Sequence, residues 1–147
     1  MNDGINFRLA TENDIEYIYS MICELEDVIF DYEIFSSNYF INIRSKIIKY
    51  YILQFNEMNC GFLSLYFNRL LHHNGVVIEI QELIVSKEFR GNKIGENIIK
   101  EVVKIAKMEN VSQIEVCTNK ARDRTKQFYK KCNFKETHYK YTMAIEN

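Results

Sequence analysis

Apolar residues alternate with polar ones at Ile5, Phe7 and Leu9, a period of two that predicts a strand over Ile5–Ala10. The period then lengthens. Thr11 followed by Asp14 three residues on is an N-cap signal. Ile15, Ile18, Ile22, Leu25 and Ile29 then fall at helical spacing. A second helix is predicted from Ser37 to Ile48, with Phe40, Ile43 and Ile47 on one face. Two β-rich runs, Tyr50–Phe55 and Cys60–Phe67, follow, joined through Asn56, Glu57, Met58 and Asn59 as a hairpin. Arg69–Gly75 reads as a loop and Val76–Val85 as a long third β run. Glu88–Gly95 reads as a basic, glycine-containing loop. Ile94, Ile98, Ile99, Val102, Ile105 and Ala106 mark a strong helix ending near Asn110. Gln113–Cys117 is a short strand, Asp123–Cys132 a helix and Phe134–Ile145 a final strand. The order β-α-α-β-β-β-α-β-α-β describes a mixed α/β fold with helices flanking one central mixed sheet.

At 147 residues the chain reads as one domain, 1–147, long enough to bury a core without disulfide or metal staples. Its 47% apolar and 27% charged residues give a soluble globular balance, and no apolar run approaches the roughly 20 residues of a membrane helix. Met1–Leu9 carries Asp3 and no apolar stretch, so no secretory leader is expected, and the expected location is the cytoplasm. Cys23, Cys60, Cys117 and Cys132 include no C-x-x-C pair and read as reduced core thiols rather than a disulfide scaffold. Proline is absent, so Gly, Asn and Ser must break the elements.

The net charge of −1 conceals an asymmetry. Residues 1–37 hold nine acids and one base, Arg8, whereas residues 87–140 hold fourteen Lys or Arg against seven acids. The first part suits a cation and the second a polyanion; two solvated helical faces would produce the same count. The stretch richest in chemistry is the strand, loop and helix from Glu79 to Ala106. Phe89-Arg90-Gly91-Asn92-Lys93-Ile94-Gly95 opens a helix, where unpaired amides and the positive end of the dipole attract phosphate. It is neither a Walker loop nor a dinucleotide fingerprint.

This loop, with Leu83-Ile84-Val85 before it and Glu96 to Ile105 after it, resembles the acetyl-CoA motif of the GCN5-related N-acetyltransferase (GNAT) superfamily, Arg/Gln-x-x-Gly-x-Gly/Ala. Arg90 and Gly95 match the pattern, and Lys93 stands where the first glycine is usual. Cys117-Thr118-Asn119 and Phe128-Tyr129 match the family's next strand and helix, and the element order matches over nearly the whole chain. Within that superfamily, Ile22-Cys23-Glu24-Leu25, Leu71-His72-His73, Glu79-Ile80-Gln81-Glu82-Leu83 and Ser112 to Tyr129 are similar to the bacterial aminoalkylphosphonate N-acetyltransferases.

The resemblance implies acetyl transfer from acetyl-CoA straight to the primary amine of a small molecule, an aminoalkylphosphonate being favoured, in a ternary complex. An alkylammonium must first lose a proton, and Glu79 is the expected base. Simple alternation sets Glu79 and Gln81 on one sheet face and Glu82 on the other. By resemblance, the backbone of Leu83, Ile84 and Val85 meets the cofactor and the developing oxyanion. Arg90, Gly91, Asn92, Lys93, Ile94, Gly95 and Glu96 form its phosphate loop. Asn119 holds the pantetheine arm, Lys126 reaches toward phosphate, and Tyr129 is the general acid for the leaving thiolate. His72, His73, Arg44 and Arg69 are the candidate substrate contacts. No metal site is predicted, although His72 and His73 with Glu79 form an alternative ligand set for a divalent ion.

Other acceptors stay open: a polyamine drawn to Glu24, Glu26, Asp27, Asp31 and Glu33, an antibiotic amine or a protein amine. A non-catalytic acetyl-CoA-binding protein is a further alternative. Neither a nucleic-acid nor a membrane partner is expected, since the pI is about 6.3 and Glu79 and Glu82 interrupt any basic groove. A homodimer is the expectation drawn from the family's habit of pairing through sheet edges.

Overall fold

A computed structural model describes residues 4–146; Met1 to Asp3, which enter the leader and charge readings above, and Asn147 lie outside them. The described chain forms two compact units, one running to Val116 and one starting at Cys117.

The first unit is a five-stranded sheet in sequential order. Its strands are β1 (Ile5–Leu9), β2 (Ile48–Phe55), β3 (Met58–Leu70), β4 (Gly75–Val85) and β5 (Gln113–Val116). The first four pair antiparallel and β5 runs parallel to β4. Two helices, α1 (Ile15–Glu26) and α2 (Tyr32–Ile43), separate β1 from β2, and α3 (Ile94–Met108) is the crossover between the parallel strands. The mixed α/β sheet expected from the sequence is therefore present.

Local chemistry explains the boundaries. The Thr11 hydroxyl accepts from the Asn13 amide at 3.3 Å while Asp14 accepts from the Thr11 amide at 2.7 Å. This capping box starts a single 3-10 turn that leads into α1. The left-handed Asp27 (φ 52°) ends α1, so Ile29 lies beyond the helix predicted to contain it. The second helix begins five residues before the predicted Ser37, because the Asp31 carboxylate accepts the Ile34 N–H at 3.0 Å and caps it there. Ile47 and Ile48, placed on that helix by their spacing, instead lead into β2. The hairpin turn is tighter than the predicted four residues. Asn56 and Glu57 are both left-handed (φ 49° and 68°), which matches the strand twist, and Met58 and Asn59 already belong to β3.

Strand alternation divides the core. Tyr50 and Ile52 of β2, Phe62 of β3 and Ile84 of β4 pack with Ile15, Ile18 and Met21 of α1 and Tyr39 of α2. Leu53, Leu63 and Leu65 are fully buried on the opposite face. There α3 buries Ile94, Ile98, Val102 and Ala106, a stripe at helical spacing. Cys60 is a buried core thiol, as expected, but Cys117 is exposed, so the core-thiol reading does not extend to it.

The second unit holds α4 (Asp123–Lys131). Tyr129 is its packed centre, in edge contact with Phe128 and Phe134 at centroid distances of 5.1 and 5.3 Å. The strand predicted over Phe134–Ile145 does not form. Tyr139, Tyr141, Met143 and Ile145 alternate as a strand would, yet are 75–90% exposed. Periodicity supplies only one side of a strand; without a ladder partner there is none. Among the described residues no helix is long and apolar enough to cross a membrane.

Candidate active site

The β3–β4 ladder carries an irregularity that decides which side chains share a face. Ser64 pairs with Glu82 and the next residue, Leu65, with Ile80, leaving Gln81 without a partner. One extra residue shifts the pleat by one position. Glu79, opposite Tyr66, and Glu82, opposite Ser64, therefore lie on the same face, the one covered by α1 and α2. The alternation expected from the sequence, with Glu79 and Glu82 on opposite faces, is corrected by this bulge.

On that face an open cavity of about 460 Å³ lies between the sheet and the two helices. Its walls include Ile22 and Glu26 of α1, Phe35 and Tyr39 of α2, and Tyr66 and Glu82 of the sheet. Phe30 and Asp31, on the short α1–α2 connection, complete one side. That connection is held in place, since the Tyr19 hydroxyl donates to the Phe30 carbonyl at 2.6 Å. Tyr39 stacks on Tyr50 at 5.6 Å, and the Tyr39 hydroxyl donates to the Thr11 carbonyl at 2.6 Å. Glu82 is half-buried. The Ser64 hydroxyl donates to its Oε1 at 2.8 Å and accepts from its backbone N–H at 3.0 Å. Burial holds the Glu82 carboxyl above the usual glutamate range; the Ser64 hydrogen bond opposes this, and the nearby charge of Glu26 adds to it.

Beside the bulge the sheet opens. β5 ends at Val116, opposite Ile80, so β5 leaves residues 81–85 of β4 without a partner on that edge. Glu82 and Ser86 donate their amides toward β3, to the Ser64 hydroxyl and the Cys60 carbonyl. The intervening pleat turns the amides of Leu83 and Val85 toward the edge that β5 does not cover. The bulge itself falls at Gln81, ahead of Leu83–Val85, not within them.

The basic loop forms the approach to α3. Gly91 and Lys93 both adopt left-handed backbone (φ 92° and 58°), and no side chain caps the helix N-terminus. The amides of a fifteen-residue helix thus open onto a loop containing Arg90, Asn92 and Lys93. Lys93 holds the conformation that a glycine adopts at least cost. Arg90 is anchored: its Nε donates to the Val85 carbonyl at 2.8 Å and its guanidinium lies 3.7 Å from Glu24.

The residues expected to meet the substrate fall elsewhere. The rings of His72 and His73 lie 4.5 Å apart and tilted at 55° to each other in a short turn at the tip of the β3–β4 hairpin, and His73 lies 3.7 Å from Glu115. Leu70 faces Gly75 at that tip, six positions from Ser64, a separation of roughly 20 Å along the strand. Arg69 lies one position before the tip, and Arg44, at the end of α2, faces Glu12 at 3.5 Å. None of the four lines the cavity. Among the described residues no three His, Cys, Asp or Glu side chains gather as a metal site would require. In the second unit, Asn119 forms a turn, its side-chain oxygen accepting the Ala121 N–H at 2.9 Å, and Lys126 lies on α4. Burial pushes the Tyr129 hydroxyl up to about 12.

Glu82 is the residue that sequence reasoning passed over. Its signal was present in part: Glu79, Gln81 and Glu82 are three polar residues in an apolar run, more than simple alternation accommodates, and that excess marks a bulge.

Residues 46–136 match the family model described as an acetyltransferase (GNAT) domain. The chain is 31% identical over 138 residues to an aminoalkylphosphonate N-acetyltransferase of Salmonella typhimurium, covering 94% of this chain and 90% of that one. A crystal structure described as a possible acetyltransferase from Clostridium difficile 630 superposes with a TM-score of 0.82 at 20% identity, covering 97% and 99% of the two chains. An aminoglycoside N-acetyltransferase solved in complex with CoA gives a TM-score of 0.79 at 11% identity, covering 97% and 95%.

Proposed function

The chain belongs to the GNAT acetyltransferase family, and from that premise we propose that it transfers the acetyl group of acetyl-CoA directly to the primary amine of a small molecule. The observation that carries this reading is Glu82, a half-buried carboxylate that lines a cavity and lies within the stretch of β4 that β5 leaves unpaired. The unpaired amides of that edge and the uncapped α3 N-terminus fit a ligand with an amide-bearing arm and phosphates. Acetyl-CoA, when bound there, supplies a thioester as the acetyl donor.

The residues divide the work as follows. Glu82 accepts a proton from the acceptor's ammonium, and its raised pKa brings it closer to the amine it must deprotonate. The freed nitrogen forms the N–C bond as the C–S bond breaks. The outward amides of Leu83 and Val85 stabilise the negative charge developing on the carbonyl oxygen. Arg90, Gly91, Asn92, Lys93, Ile94, Gly95 and Glu96 receive the phosphates, with Asn119 and Lys126 as further contacts carried over from the family resemblance. The same resemblance gives Tyr129 the proton for the leaving sulfur. Glu79 shares the face of Glu82 but does not line the cavity, so Glu82 is the preferred base. The proposed enzyme acts in the cytoplasm as a homodimer.

The test is thiol release from acetyl-CoA with a panel of primary amines, using wild type, E82Q, E79Q and Y129F. E82Q is expected to lower kcat by about 10²–10⁴-fold, the ordinary worth of a general base, with E79Q nearer wild type. Y129F is expected to lower kcat with little change in acetyl-CoA affinity. The reverse order for the two glutamates would return the base role to Glu79. Acetyl-CoA binding without turnover of any amine would favour the non-catalytic reading.

A further inference from the structure

The cavity assigned to the acceptor has charge of one sign. Its charged lining residues are Glu26, Asp31 and Glu82, and among the described residues no lysine, arginine or histidine lines it. Glu26 raises the pKa of Glu82, so the two carboxylates act on each other across the same space. The remaining walls are mainly apolar and aromatic, among them Ile22, Ile34, Phe35 and Tyr66, with the neutral amides of Asn38 and Asn42 between them. Such walls suit methylene groups, and ring faces also attract ammonium ions.

An anionic acceptor fits this arrangement poorly. A phosphonate would bring negative charge against three carboxylates with no counter-charge in the lining, while Arg44, Arg69, His72 and His73 all lie outside it. A single ammonium would be neutralised at Glu82 as it gave up its proton, leaving Glu26 and Asp31 without a cation in the cavity, although Asp31 also accepts the Ile34 N–H at the start of α2. The carboxylates are also placed in sequence to act apart: Glu82 is half-buried on β4, whereas Glu26 is exposed at the end of α1 and Asp31 is exposed at the cap of α2.

We propose that the acceptor is a diamine or polyamine, one amine deprotonated at Glu82 and a second held as an ammonium by Glu26 and Asp31. This rests on the acetyltransferase reading above and names its substrate class. It sets this chain apart from a relative named for an aminoalkylphosphonate.

The experiment compares initial rates of thiol release from acetyl-CoA with spermidine, 1,5-diaminopentane, pentylamine and 2-aminoethylphosphonate, for wild type, E26Q and D31N. Asparagine caps a helix as well as aspartate does, so D31N keeps α2 intact. The diamine should exceed pentylamine in kcat/KM by about tenfold or more, the worth of one charge-assisted contact. E26Q and D31N should each reduce that diamine-to-monoamine ratio severalfold, mainly through KM. Preference for 2-aminoethylphosphonate, or a ratio unchanged in both variants, would overturn the proposal and leave the acetyltransferase reading standing. Acetyl-CoA binding by calorimetry without turnover of spermidine or 1,5-diaminopentane would likewise overturn the proposal, whereas failure to bind acetyl-CoA at all would count against the acetyltransferase reading on which it rests.

Discussion

Ser64 and Glu82 hold each other twice across the β3–β4 bulge: the hydroxyl donates to the carboxylate at 2.8 Å and accepts the glutamate's own amide at 3.0 Å. Ser64 is fully buried. The pair explains how a bulge, which breaks the ladder, still leaves the Glu82 amide with an acceptor, and how the carboxylate is held in place at the cavity wall. It also sets the base strength, since the Ser64 hydrogen bond lowers a pKa that burial raises. S64A should therefore move the acidic limb of the kcat/KM profile to higher pH, because the base must be ionised to act. It should also cost about 1–3 kcal/mol of stability for the buried groups left without a partner. An unchanged limb, with activity simply scaled down, would show that Ser64 does not tune the base.

Asp14 predicts a pH dependence of opposite origin. Arg8 grips its carboxylate with two hydrogen bonds of 2.9 and 3.0 Å, and this, with the Thr11 amide, holds its pKa below the ordinary aspartate value of 3.8. A depressed folded-state pKa contributes stability above the unfolded value and loses it as pH falls through the folded one. D14A should cost about 1–2 kcal/mol at neutral pH, where the capping box is lost as well. The difference from wild type should shrink below about pH 4. Urea unfolding at pH 7 and pH 3 measures both values, and an equal difference at the two would remove the ionic part.

Much of this architecture could be read from the chain. Alternation located β1, β-rich runs located β2 to β5, and the helically spaced stripe of Ile94, Ile98 and Val102 located α3. Side-chain chemistry located the Thr11 cap. Reading failed where one residue outweighed the pattern. Asp31 started α2 early, Asp27 ended α1 before Ile29, and the alternating segment after Phe134 had no partner to make it a strand. At the site, the loss of phase at Gln81 moved Glu82 onto the face of Glu79, which no fixed period of two can express. The loop from Arg90 to Gly95 was legible because its chemistry is local in sequence. The cavity was not, because it joins residues from Ile22 to Glu82.

Gly61 fixes how closely β3 approaches β4 opposite Val85. A Cβ placed there would lie 2.2 Å from the Ile84 carbonyl oxygen, a backbone atom that cannot rotate away. G61A should force the strands apart beside the Leu83–Val85 edge. We expect a loss of about 3 kcal/mol, at the upper end for overpacking. Acetyl-CoA affinity should fall with it, since the outward amides shift with their strand. Thermal unfolding and calorimetry on the same sample test the two together. A stable variant with normal affinity would show that the strand pair yields without disturbing the edge.

Lys93 raises the opposite case, a side chain where the backbone asks for none. Its φ of 58° places it in the left-handed region immediately before α3, where a residue with a Cβ carries a cost of about 1–2 kcal/mol. Glycine removes that cost but gives the unfolded chain more freedom, so the net gain from K93G should be smaller, about 0.5–1 kcal/mol, or a rise in Tm of about 1–4 °C. Function should move the other way if the ammonium meets phosphate: K93G should weaken acetyl-CoA binding severalfold, and the loss should fade at high salt, as it does for exposed charges. Binding unchanged at low salt would mean that the α3 amides and Gly91 receive the phosphates without Lys93. Its presence in place of the usual glycine would then be a cost in stability without a return in affinity.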